Sequence, residues 1–132
     1  MKRTSIVLES SASSTSAYSP GLVVELSDAK LIFLSGQTAM DANGNILSED
    51  IEEQTRFVFE NIRKLLTQAG ASFDDVVKSQ MFMTDIKDFS KVSPIRNEYF
   101  ATSRPVNTLL EVSSLVSKGI KIEIEVIAIA PK

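Results

Sequence analysis

The sequence predicts an α+β fold, with elements in the order β-β-β-α-β-α-β-β. Residues 120–130 form the longest run of alternating apolar and polar positions in the chain, as a half-buried strand does. Residues 49–69 instead repeat their apolar positions with a helical period, and residues 22–34 hold two short apolar runs around a turn. A chain of 132 residues normally closes around one core, and no linker or internal repeat interrupts it, so residues 1–132 are expected to form a single domain.

Residues 2–8 alternate loosely and are rich in β-branched types, which predicts an opening strand, and the serine-rich residues 10–16 read as a loop. Residues 22–26 and 30–34 flank Ser27-Asp28-Ala29 and read as an antiparallel hairpin, after which Asn43-Gly44 marks a tight turn. Ser48 is expected to cap a helix over 49–69, with Glu49 and Asp50 at the positive end of its dipole and Gly70 as its stop. Ile51, Thr55, Val58, Ile62, Leu65, Leu66 and Ala69 make one stripe suited to packing on a sheet. Residues 75–85 alternate, with Val77, Ser79, Met81 and Met83 opposite Val76, Lys78, Gln80 and Phe82, as in a central strand. Ser93-Pro94 reads as an N-cap followed by proline at the first helical position, so the second helix is expected to begin near Pro94. Beyond Arg104-Pro105, residues 107–115 and 120–130 read as the closing strands.

Composition narrows the chemistry. The chain has no histidine and no cysteine, which removes the imidazole base, thiol nucleophiles and Cys/His metal sites. Acid–base work falls to other groups, with carboxylates the leading candidates. A net charge of −3 offers no general attraction to phosphate backbones or anionic lipid, so nucleic acid is an unfavoured partner. No apolar run reaches the roughly 18 residues of a membrane span, and the charged start lacks a long apolar segment behind it, so a cytoplasmic location is expected.

Residues 120–126 place Lys121, Glu123 and Glu125 on one face of a strand and aliphatic residues on the other. Taken alone this is also the pattern of a solvated sheet face. Tyr18-Ser19-Pro20-Gly21 is compatible with an ordinary turn and Ser35-Gly36-Gln37 with an ordinary strand exit. Met81 and Met83 suit core filling better than a ligand box.

Taken together, in order and at their spacing, several fragments carry a resemblance to a known family. They are Ala17-Tyr18-Ser19-Pro20-Gly21, Leu31-Ile32-Phe33-Leu34-Ser35-Gly36-Gln37, Asp50-Ile51-Glu52-Glu53-Gln54-Thr55, Asn61-Ile62, residues 69–78 and residues 122–128. On these the chain resembles the RidA (YjgF/YER057c/UK114) family. The resemblance implies a chorismate-mutase-like fold in which a mixed sheet of about six strands packs against two helices. It implies a homotrimer with a central barrel-like core and sites in the clefts between subunits. It also implies hydrolysis of small reactive enamines or imines, without metal or cofactor. Residue by residue, Glu123 is the carboxylate that orients water, Tyr18 lines the cleft, and Ser35 and Gly36 form its floor. The family's substrate-gripping arginine lies in a Pro-Ala-Arg-Ser/Thr motif that here reads Pro105-Val106-Asn107-Thr108, so neutral Asn107 stands in its place. Ser93 stands where the family has an asparagine at the start of the second helix, and Asn97 follows one turn later.

Two functions follow for a cleft retuned in this way. One is an imine or enamine deaminase, a hydrolase, whose specificity differs from that of 2-aminoacrylate deaminases. The other is a non-catalytic trimer that binds a small molecule or a partner. A ribonuclease or translation inhibitor is disfavoured, because no basic stripe interleaved with aromatic residues is present.

Overall fold

A computed structural model describes residues 1–8 and 16–132, so the loop expected at 10–16 lies outside the described residues except for Ser16. The elements run β1 (Arg3–Ile6), β2 (Gly21–Glu25), β3 (Ala29–Leu34), α1 (Ile51–Gln68), β4 (Val76–Met83), α2 (Phe89–Tyr99), β5 (Val106–Glu111) and β6 (Ile122–Pro131). They build one six-stranded sheet in the order β1-β2-β3-β6-β4-β5. Every pairing is antiparallel except β4 with β5, whose connection passes through α2. The α+β fold and the mixed sheet with two helices are as expected.

Strand parity decides what the helices cover. Along β6, Ile122, Ile124, Val126, Ala128 and Ala130 are buried, joined on that face by Val23, Ile32, Leu34, Met81 and Met83. α1 and α2 close over this side with Val58, Ile62, Leu65, Val92 and Ile95. Phe59 adds an aromatic cluster, stacked on Tyr99 at 4.5 Å between ring centroids and edge-on to Phe100 at 5.4 Å. None of the helices of the described residues is long and apolar enough to cross a membrane.

Three local expectations are corrected. The cap of α1 is Asp50, whose carboxylate accepts the Glu53 N–H at 2.9 Å; Ser48 acts one step further out, accepting the Asp50 N–H at 3.0 Å and bonding the Glu53 carboxylate. The second helix begins at Phe89 and not near Pro94, so Ser93 is not its cap and Pro94 lies inside it. A proline there removes the bond its N–H would make to the carbonyl four residues earlier. Burial of Val92 and Ile95 against the sheet offsets that loss. In β4 the alternation shifts phase: Val76 pairs with Ala128 and Lys78 with Ile127, leaving Val77 as the extra residue of a bulge. Val76 therefore faces the core and Val77 solvent, the reverse of the expected pattern, while Ser79, Met81 and Met83 keep their places.

A buried polar staple joins α1 to the start of β6. Gln54, 1% exposed, donates through Nε2 to the Ser48 and Gly119 carbonyls, both at 2.8 Å, and accepts the Lys121 N–H at 2.9 Å through Oε1. Gln54→Leu leaves these backbone groups without their partner. It is expected to destabilise the protein by about 2–4 kcal/mol, seen as a lower urea midpoint at unchanged slope.

Candidate functional site

Glu123 sits at the second position of β6, on the face away from the helices, and is half-buried. Beside it β3 has ended, and residues 35–37 take its place. Gln37 donates its N–H to the Ile124 carbonyl at 2.8 Å and accepts the Ile124 N–H at 3.1 Å. This clamps Gly36 against the carboxylate, where a Cβ would come within 2.7 Å of Glu123 Cδ. A side chain at 36 would therefore have to displace the Glu123 carboxylate. Burial first, and the like charge of Glu125 second, push the Glu123 pKa above the ordinary carboxylate range.

Ser35 fixes the neighbouring turn. Its hydroxyl donates to the Ser19 carbonyl at 2.7 Å and its N–H to the Pro20 carbonyl at 2.8 Å, tying Tyr18-Ser19-Pro20 to the exit of β3. Tyr18, 58% exposed, lines two depressions, one with Ser35, Gly36 and Gln37, the other, of about 540 Å³, with Ser35, Lys78, Gln80 and Glu125. Gly36, packed on Glu123, thus links that carboxylate to Tyr18 and Ser35 in one group.

Asn107 belongs elsewhere. Its partner in the register is Ser79, a core-facing residue, whereas Glu123 pairs with Phe82 on the opposite face. Asn107 donates through Nδ2 to the Ser79 carbonyl and accepts from Arg96 Nη1 through Oδ1, both at 3.3 Å. With Arg96, Asn97, Phe100, Arg104 and Pro105 it lines a third depression of about 640 Å³. Arg104 adopts φ 45°, the left-handed region, and its N–H closes back on the Phe100 carbonyl at 2.9 Å. Ser93 is half-buried in the middle of α2 and lines none of these three depressions. Within one chain, then, the Glu123 group and the Asn107 group lie on opposite faces of the sheet. The sequence reading did not single out Arg96; its contact spans eleven residues from helix to strand and has no local pattern.

The arrangement at Glu123 suits a base: a partly desolvated carboxylate of raised pKa, packed against the Gly36 backbone. A sequence model described as endoribonuclease L-PSP matches residues 9–130. The chain belongs to this family, the RidA (YjgF/YER057c/UK114) family. Among RidA relatives, the 2-iminobutanoate/2-iminopropanoate deaminase of Homo sapiens is 35% identical over 120 residues, covering 87% of each chain. YyfA of Yersinia pestis, a solved protein of the Rid family, superposes with a TM-score of 0.83 at 36% identity, covering 96% of this chain and 98% of its own. TdcF of E. coli, solved with bound serine, gives a TM-score of 0.77 at 29% identity over 95% of this chain and 97% of its own.

Proposed function

We propose that this RidA-family protein is a hydrolase of small reactive enamines or imines, acting at clefts between the subunits of a homotrimer. The observation that carries the reading is the half-buried Glu123 carboxylate, of raised pKa, held against Gly36. Glu123 takes a proton from water as the water oxygen bonds to the carbon of the C=N group, and the nitrogen gains a proton. Collapse of the resulting carbinolamine forms the C=O bond and releases ammonia. The deaminase relative and the serine-bound neighbour support a small nitrogen-bearing ligand.

The assembly draws support from the open sheet face. Leu22, Leu31, Phe33, Ile127 and Ile129 lie there beside the two carboxylates, and Phe33 and Ile129 remain 41% and 45% exposed, an apolar surface suited to other copies of the same chain. Assembly would also let the Glu123 group of one subunit meet the Asn107 group of the next. Tyr18 lines the cleft, Ser35 and Gly36 floor it, Ser93 stands at its α2 side, and Asn107 replaces a charged contact, which shifts specificity away from 2-aminoacrylate.

The test is ammonia and keto-acid release from a panel of imines made in situ by an amino-acid oxidase, against the rate without protein. Acceleration is the expected result. Background rates would leave a binding trimer as the better account, and a monomer by sedimentation at micromolar concentration would remove the intersubunit cleft.

A further inference from the structure

The third depression carries an unusual charge pattern for an acidic chain. Arg96 and Arg104 both line it, no carboxylate does, and neither arginine has an ion-pair partner among the described residues, whereas Arg56 and Arg63 are each paired with a glutamate. Arg96 is also held in place. Its guanidinium carbon lies 5.4 Å from the Phe89 ring centroid, Nε donates to Asn97 Oδ1 at 3.2 Å, and Nη1 donates to Asn107 Oδ1 at 3.3 Å. These bonds use two of the five N–H donors of the guanidinium and leave three for a ligand. Asn107 has its Oδ1 and one Nδ2 hydrogen engaged, by Arg96 and by the Ser79 carbonyl, so it bridges helix to strand.

We infer that Arg96 is the residue that binds the anionic end of the substrate, with Asn107 as the brace that positions it. This rests on the imine-hydrolysis reading and moves the grip on the carboxylate of an imino-acid substrate from the strand position that Asn107 holds to a guanidinium carried on α2. A planar, braced arginine with a free edge fits a carboxylate in two-point fashion and presents little to an uncharged group.

The experiment compares two substrate sets: imino acids from an amino-acid oxidase, and imines without a carboxylate from an amine oxidase. Arg96→Gln is expected to raise KM for the imino acids about 10- to 100-fold, with kcat and the neutral imines little changed. Asn107→Asp, which captures Arg96 in an ion pair, is expected to reproduce that selective loss without lowering the melting temperature. Arg104→Gln, which removes the unbraced arginine, should have the smaller effect. Equal losses on both substrate sets, or no change with Arg96→Gln, overturn the inference while leaving hydrolysis standing. If the wild type accelerates neither set, the hydrolysis reading falls instead. Calorimetric binding of 2-oxobutanoate then decides the anion site: affinity lost in Arg96→Gln upholds it, and equal or absent binding in both proteins refutes it.

Discussion

Glu123→Gln is expected to lower kcat for imine hydrolysis by about 10²- to 10⁴-fold, the usual contribution of a positioned base, while raising the melting temperature at pH 7. The two effects share one cause. Burial and Glu125 raise the folded-state pKa of Glu123 above its value in the unfolded chain. The favourable protonated form is therefore fully present below the unfolded value of about 4.3, and stability is lost as pH rises through the folded pKa. Glutamine mimics the protonated form, so its stabilising effect should fade as pH falls below about 4. Activity runs the other way: the base must be ionised, so kcat should rise with pH along a limb centred above the ordinary carboxylate pKa. Removing the like charge with Glu125→Gln should move that limb to lower pH. A variant at position 123 that keeps the wild-type rate ends the assignment of Glu123 as base, and one that loses activity together with stability points to a scaffold role instead.

Gly36→Ala should produce the second-largest loss, and it isolates position from chemistry, because every ionisable group stays in place. The backbone at 36 does not adopt the left-handed region, so alanine is tolerated conformationally. What it meets is the carboxylate: Cβ would lie 2.7 Å from Glu123 Cδ and 3.0 Å from Oε2, so the side chain must move. Displacing a reacting group by about an ångström lowers rates on the order of 10²-fold, and kcat/KM is expected to fall by about that factor. Thermal stability should hold or rise slightly, since alanine restricts the unfolded chain more than glycine does. Full activity in this variant would mean that the contact does not position the carboxylate.

Local pattern made much of this fold legible. The alternation of 120–130 placed Glu123 and Glu125 on the face away from the core, because strand parity is a property of neighbouring residues. The stripe on α1 was equally readable, though it missed Gln54, whose burial depends on the Gly119 carbonyl and the Lys121 N–H, brought by the segment before β6 from up to sixty-seven residues away. Rules that act over one turn misled where tertiary packing outweighed them. Ser93-Pro94 has the composition of a helix start, yet burial of Val92 carries the helix back to Phe89. The bulge at Val77 is invisible in a run of alternating residues, since it exists only against the register of β6. For the candidate site, the grouping of residues 18, 35, 36 and 123 came only through the family resemblance and not from local pattern, since Gly36 meets Glu123 across eighty-seven positions. That Asn107 faces away from this group follows from its pairing with Ser79, which no local pattern encodes.

That separation has a genetic corollary. If each working cleft takes Glu123 from one subunit and Arg96 from the next, two crippled alleles need not be equivalent to one. Coexpressed Glu123→Gln and Arg96→Gln chains, drawn at random into rings, would rebuild about a quarter of the clefts with both groups intact. Neither chain could do so with copies of itself. A site divided between the faces of one sheet is thus inherited as two separable halves, and a defect in either can be covered by a neighbour.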